Sequence, residues 1–97
     1  METRIQSVHF DASTQLLEFV EKKVAKIEKF CDGATSLEVT MKLVKPETAM
    51  NKEVALNLSS GFGDMFASKI SDTFEDALLV ALDALKAQIE KKREKMK

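Results

Sequence analysis

The chain has 97 residues, of which 44% are hydrophobic and 32% are charged. This composition is typical of one soluble globular domain, because domains usually hold roughly 100–150 residues and disordered chains are poorer in apolar residues. No apolar run approaches the roughly 18 residues needed to cross a bilayer, and residues 1–4 do not begin a secretory signal. Cys31 and His9 are each alone in their class, which excludes an internal disulfide and a Cys/His zinc site within one chain. The sequence therefore favours a cytoplasmic binding module.

Charge is unevenly distributed along the chain. The formal net charge is −1, from 15 basic and 16 acidic residues. Residues 86–97 carry six basic and two acidic side chains, a local +4, whereas residues 1–85 carry nine basic and 14 acidic ones, a net −5. Such a split is typical of a protein that contacts a polyanion at one place. The alternative is a solvated helix end whose lysines complement the helix dipole.

A strand and an amphipathic helix are predicted in the first third of the chain. Residues 3–10 favour β-structure and predict the first strand. Ser13 is a suitable N-cap for a helix from Gln15 to about Phe30. Apolar side chains recur along this helix at spacings of three and four, which predicts one buried stripe. The stripe consists of Leu16, Val20, Val24, Ile27 and Cys31.

Three further strands and a second helix follow. Alternating apolar side chains predict strands at residues 36–44 and 54–58. Residues 65–70 form a fourth strand, whose inward face the sequence does not assign. Asp72 is the predicted N-cap of the second helix, with Glu75 as its capping-box partner. The buried stripe of this helix consists of Phe74, Leu78, Ala81, Leu85 and Ile89.

The predicted order of elements is β-α-β-β-β-α. Three consecutive strands joined by short loops favour an antiparallel meander. Each helix has one apolar stripe, so both helices can cover the same face of the sheet. The expected fold class is α+β, a four-stranded sheet with two helices packed on one face.

Charged side chains are segregated on the first helix. At about 100° per residue, Lys22, Lys26 and Lys29 fall within about 60° of one another on one flank of the apolar stripe. Glu21 and Glu28 occupy the opposite flank. This segregation favours contact with a polyanion, whereas the alternative is an ordinary solvated face with internal ion pairs.

Further basic residues extend this pattern. Lys23 lies at the border of the apolar stripe, where its stem can cover apolar surface while the ammonium reaches solvent. On the second helix, Lys86 and Arg93 fall on one line at seven-residue spacing. Lys92 continues the line of the buried stripe, which predicts that the last two turns project beyond the sheet and are solvated all round. The two helices then form a groove of positive potential, suited to phosphate contacts.

The aromatic residues favour recognition of backbone and shape over recognition of bases. All six are Phe, and Phe10, Phe19, Phe30 and Phe74 are expected in the core. Only Phe62 and Phe66 are plausible exposed stackers for unpaired bases. The sequence thus indicates folded RNA as the polyanion.

Catalytic chemistry is not indicated. The chain has neither the G-x-x-x-x-G-K-[ST] nor the G-x-G-x-x-G phosphate-binding pattern. Asp72, Glu75 and Asp76 lie at a helix start, where the helix dipole favours acidic residues. We therefore expect no enzymatic activity, cofactor, metal site or small-molecule substrate.

The same segments resemble a known family. Residues 5–20, and their continuation Glu-Lys-Lys-Val-Ala-Lys-Ile at residues 21–27, resemble the opening of the ribosome hibernation promoting factor and ribosome-associated inhibitor A family. This family is also labelled sigma-54 modulation protein. Residues 37–44 and 85–92 extend the resemblance over nearly the whole chain.

The resemblance implies a fold similar to that of double-stranded RNA-binding domains. It implies a single ribosome-binding domain over residues 1–97, without the C-terminal dimerisation domain of long members. The implied partner is the small ribosomal subunit, bound through its rRNA at the messenger RNA channel and the A and P sites. The implied function is inhibition of translation in stationary phase or stress, by a cytoplasmic protein that does not contact membranes and is a monomer when isolated.

By the resemblance, basic residues of both helices are the expected rRNA-binding residues. They are Lys22, Lys23, Lys26, Lys29, Lys86, Lys91, Lys92, Arg93 and Lys95. Two other functions stay open at this point. One is a protein–protein modulator of a transcription sigma factor, as the older family label suggests. The other is a free binder of double-stranded RNA, which a net charge of −1 disfavours.

Overall fold

The predicted order of strands and helices is confirmed by the structure, a computed structural model. It describes residues 1–31, 33–44, 50–61 and 63–95, of which residues 93–95 are described by their backbone alone. The elements are β1 (Glu2–Val8), α1 (Thr14–Phe30), β2 (Ala34–Leu43), β3 (Lys52–Ser60), β4 (Met65–Ser71) and α2 (Phe74–Lys95).

The four strands form one mixed sheet in the order β1-β2-β3-β4. The predicted meander is confirmed, because β2, β3 and β4 pair antiparallel. β1 pairs parallel with β2, from Glu2 opposite Ser36 to Val8 opposite Lys42. A parallel pair needs a crossover connection, and α1 supplies it.

Alternation along the strands puts the core on one side of the sheet. Leu37, Val39 and Met41 of β2 are buried, and so are Val54, Leu56 and Leu58 of β3. On β4, Met65 and Ala67 are buried, which assigns the inward face that the sequence left open. The opposite face of the sheet carries the exposed side chains of Asn57 and Phe66, which are cross-strand partners. Both helices therefore pack on a single sheet face.

Most residues of the two predicted helical stripes are buried in this core. On α1, Val20, Val24 and Ile27 are buried and Leu16 is half-buried. Cys31, directly after the helix, is buried as well. All five predicted stripe residues of α2 are buried, together with Ala77 and Leu82. These contacts fix the rotation of each helix, and with it the direction of every charged flank.

The predicted cap of α1 is confirmed. The hydroxyl of Ser13 accepts a hydrogen bond from the amide of Leu16 at 3.1 Å, and its carbonyl accepts one from the amide of Leu17 at 3.0 Å. Ser13 itself is extended, as an N-cap residue should be.

The predicted cap of α2 is wrong by one residue. The hydroxyl of Thr73, not the carboxylate of Asp72, accepts from the amide of Asp76 at 3.1 Å, and the Thr73 carbonyl accepts from the amide of Ala77 at 3.1 Å. The carboxylate of Asp72 is used elsewhere, because it accepts the backbone amide of Met50 at 2.8 Å. Asp72 thus ties the start of α2 to the segment before β3, and the capping box with Glu75 does not form.

Thr73→Ala should lower the free energy of unfolding by about 1 kcal/mol, because it leaves a helix-terminal amide without its cap. Glu75→Gln should cost less than about 0.5 kcal/mol, because Glu75 is exposed and only adjusts the charge near the helix dipole. Urea unfolding at neutral pH would measure both variants. A larger loss of unfolding free energy in Glu75→Gln than in Thr73→Ala would show that the capping box of Asp72 and Glu75 does form.

Candidate nucleic-acid interface

The three lysines of the first predicted flank lie on the solvent side of α1. Burial of Val20 and Ile27 turns this flank away from the sheet. Lys22, Lys26 and Lys29 are all exposed, as their helical positions predict. Their ammonium groups are therefore available to an external anion.

The acidic flank of α1 faces β1 instead. Glu21, Ala25 and Glu28 line a cleft of about 210 Å³ whose other wall includes Met1 and Ile5. The carboxylate of Glu28 lies 3.4 Å from the N-terminal ammonium of Met1. Glu21 and Glu28 thus point away from Lys22, Lys26 and Lys29, as predicted. Glu18 is an exception, because it is exposed one helical turn before Lys22.

Two further lysines rest on aromatic rings. The Lys23 ammonium lies 5.6 Å from the centroid of the Phe19 ring, and the Lys86 ammonium lies 5.9 Å from the centroid of the Phe30 ring. Each cation–π contact of this kind is worth about 0.5–1 kcal/mol when partly exposed. The first contact places the Lys23 ammonium itself over an aromatic ring, at the border of the apolar stripe where the residue was predicted. The second contact joins α2 to α1. It brings Lys86 to the side of α1 that carries Lys22, Lys26 and Lys29, a surface that we call the lysine side.

Sequence reasoning identified Lys86 but missed its aromatic partner. Phe30 and Lys86 belong to different helices, so their contact depends on how the two helices are set against each other. Helical periodicity describes one helix at a time and carries no information about that setting. The predicted core position of Phe30 is confirmed in part, because its ring is half-buried against the core.

The C-terminal part of α2 differs from its prediction. Lys92 is half-buried, and its ammonium donates to the carbonyl of Asp64 at 3.3 Å. One turn earlier, the Gln88 side-chain amide donates to the carbonyl of Phe66 at 2.6 Å. The prediction that the last two turns of α2 are solvated all round is therefore wrong at Lys92, because the loop between β3 and β4 contacts the helix there.

The remaining predicted residues of α2 divide in two. Lys91 is exposed, and it follows Gln88 by three residues, so it lies on the β4 side of the helix. Arg93 and Lys95 lie in α2, but their side chains are outside the described part of the chain. Lys86 and Lys91 therefore lie on different sides of α2, whereas the predicted line of Lys86 and Arg93 includes a side chain outside the described part of the chain.

The aromatic predictions have mixed outcomes. Phe74 is buried and stacks on the half-buried Phe10, with ring centroids 4.4 Å apart. Phe66 is 57% exposed, but it projects from the sheet face opposite the helices, away from the lysines. Phe62 lies outside the described residues. The lysine side of the molecule thus offers ammonium groups rather than an exposed stacking platform, which suits phosphate contacts.

The described residues contain no group of three or more His, Cys, Asp or Glu side chains placed to hold a metal ion. None of the helices in the described part of the chain is long and apolar enough to span a membrane.

Comparison with known proteins gives a consistent result. A family model described as sigma 54 modulation protein / S30EA ribosomal protein matches residues 3–97. A curated relative, the ribosome hibernation promoting factor of Pseudomonas putida, is 26% identical over 95 residues, which cover 98% of this chain and 89% of the relative.

Two solved structures share the fold. A ribosomal subunit interface protein from Coxiella burnetii has a TM-score of 0.82 at 18% identity, with 97% of this chain and 99% of that chain covered. The N-terminal domain of Protein Y from Thermus thermophilus has a TM-score of 0.77 at 17% identity, with 94% and 98% covered. At these identities the likeness establishes the β-α-β-β-β-α architecture.

Proposed function

Because the chain belongs to the sigma 54 modulation protein / S30EA ribosomal protein family, we propose that it binds the small ribosomal subunit and inhibits translation in stationary phase or stress. The family comprises ribosome hibernation and interface proteins, which are not enzymes. The name of the Pseudomonas putida relative, a ribosome hibernation promoting factor, supports the hibernation role. The proposed place of action is the cytoplasm, and the isolated protein is proposed to be a monomer.

The observation that carries this proposal is the lysine side shared by the two helices. Lys86 reaches from α2 to the Phe30 ring of α1, beside a helix whose acidic flank faces β1. A polyanion approaching from the helix side therefore meets lysines from two elements, although the exposed carboxylates of Glu18 and Glu90 lie one helical turn from Lys22 and Lys86. Lysine acts on phosphate as a point charge on a flexible stem, so it adapts to the backbone of folded RNA without reading sequence.

The proposed mechanism is steric. The protein occupies the channel that messenger RNA and the A- and P-site tRNAs would use, and phosphate contacts of both helices hold it there. The proposed rRNA contacts are Lys22, Lys23, Lys26, Lys29, Lys86, Lys91, Lys92, Arg93 and Lys95. Packing of α1 and α2 on one face of the sheet fixes the two helices relative to each other, which suits recognition of RNA shape.

Cosedimentation with intact bacterial ribosomes tests the proposal. The protein should pellet with the small subunit at about 50 mM salt, in the presence of an equal mass of generic duplex RNA. If six of the nine proposed side chains contact phosphate, the association constant should fall roughly 1,000-fold between 50 and 200 mM salt.

Three outcomes would contradict the proposal. Protein left in the supernatant at low and high salt would refute ribosome binding. Displacement by the generic duplex would instead indicate a free binder of double-stranded RNA. Binding that does not change with salt would refute the lysine–phosphate contacts, because each contact releases counterions.

A further inference from the structure

Lys92 contacts the loop between β3 and β4. Its ammonium lies 3.3 Å from the carbonyl of Asp64, to which it donates. A Cβ atom at Gly63 would lie 3.1 Å from the same ammonium, and Gly63 has a φ of +110°, a conformation that other residues rarely adopt. The Lys92 ammonium thus lies close to the backbone of Gly63 as well as to the carbonyl of Asp64.

Gln88 makes a matching contact one helical turn earlier. Its side-chain amide donates to the carbonyl of Phe66 at 2.6 Å, so two residues of α2 bind two carbonyls near the start of β4. The loop itself is held on its other side, since the amide of Gly61 donates to the carbonyl of Gly33 at 2.9 Å. The two side chains therefore join the C-terminal part of α2 to an anchored part of the sheet.

The helical position of Lys92 agrees with this arrangement. Lys92 follows Leu85 by seven residues and Ile89 by three, and both of those residues are fully buried. Residues at these spacings lie on one face of a helix, so Lys92 points toward the sheet. Lys91, the preceding residue in the sequence, lies about 100° away around the helix and is exposed. The contact with the Asp64 carbonyl uses one donor of the ammonium and holds the side chain toward the loop.

We propose that Lys92 is a positioning residue and not a phosphate contact: with Gln88, it braces the end of α2 against the β3–β4 loop. The brace holds the last turns of α2, and with them Lys91, in a fixed position relative to the lysines of α1. This inference rests on the proposed function, and it removes Lys92 from the set of direct rRNA contacts.

Lys91 and Lys92 form a matched pair for testing the brace. They are the same residue type at adjacent positions, one exposed and one bound to the loop. The full chain and its Lys91→Ala and Lys92→Ala variants would be titrated with bacterial ribosomes at several salt concentrations. Amide hydrogen exchange would be measured on each free protein.

Lys92→Ala should weaken ribosome binding roughly fivefold, the effect of losing one hydrogen bond, without changing the slope of log K against log salt. It should also speed amide exchange in the last turns of α2 by roughly fivefold. Lys91→Ala should lower the slope by about 0.7–0.9, the signature of one lost phosphate contact, and should leave exchange unchanged. Lys92→Arg, which keeps a donor for the Asp64 carbonyl, should restore both affinity and slow exchange.

A slope that falls in Lys92→Ala as much as in Lys91→Ala would make Lys92 a phosphate contact and overturn the inference. Unchanged affinity and exchange in Lys92→Ala would overturn it as well. If the wild-type chain does not bind ribosomes, the proposed function fails. The exchange measurement on free protein would still decide whether Lys92 braces the helix.

Discussion

The double variant Lys26→Glu, Lys86→Glu is expected to bind bacterial ribosomes at least roughly 100-fold more weakly than the wild-type chain, because like charges facing each other across an interface cost several kcal/mol. Lys26 is exposed on α1, and Lys86 of α2 lies over the Phe30 ring of α1. The two reversals therefore place negative charge on both helices of the lysine side. Cosedimentation at low salt measures the loss directly.

A control with the same change in net charge separates this effect from general repulsion. Arg4 and Lys69 are exposed on the two edge strands, β1 and β4. The variant Arg4→Glu, Lys69→Glu should keep most of the affinity. Equal losses in the two double variants would show that total charge, rather than the lysine side, governs binding. Thermal unfolding of both variants checks that each is folded, since the Lys86 contact with Phe30 is worth only about 0.5–1 kcal/mol.

Leu56→Ala is expected to have the largest effect on stability. Leu56 is fully buried at the centre of β3, between Val39 of β2 and Ala67 of β4 in the sheet. Truncating such a leucine removes about 2–5 kcal/mol through lost burial and the cavity that remains. That is a large part of the roughly 5–15 kcal/mol by which a domain is usually stable.

Leu79→Ala is the matched control for this prediction. Leu79 lies on α2 with 42% of its surface exposed, and alanine is the residue that favours helices most. Its free energy of unfolding should fall by less than about 1 kcal/mol. Similar losses for Leu56→Ala and Leu79→Ala in urea unfolding would contradict the assignment of Leu56 to the centre of the core.

The fold was accessible to sequence reasoning because its signals are local. The period-two pattern of Leu37, Val39 and Met41 predicts β2, and the spacing of Val20, Val24 and Ile27 predicts the buried face of α1; all six residues are buried. The cap of α2 was not accessible in the same way. Asp72 and Thr73 are both favourable N-caps, and the choice between them depends on the amide of Met50, which binds Asp72 from a distant part of the chain.

In the candidate site, too, features set by a single helix were predicted, whereas features set by contacts between distant segments were not. Exposure of Lys22, Lys26 and Lys29 follows from the rotation of a single helix, which the sequence encodes. The environment of Lys92 depends on the carbonyl of Asp64, supplied by a loop of the sheet. Sequence reasoning identified Lys92 as a cation on the line of the buried stripe, and that position was the sign that it faces the protein. A lysine on an apolar stripe is thus a reason to look for a backbone acceptor in a neighbouring loop as well as for a projecting helix.

The separated flanks of α1 contribute an electric dipole across the molecule. With a net charge of only −1, the long-range force between this protein and RNA is small, whereas the torque on its dipole is not. RNA phosphates attract the lysine side and repel the side where Glu21 and Glu28 lie against β1, so the protein is turned as it approaches. This torque acts over about one Debye length, roughly 8 Å at physiological ionic strength. A nearly neutral protein can thereby meet RNA with the lysine face first, while its other surfaces resist nonspecific adsorption to nucleic acid.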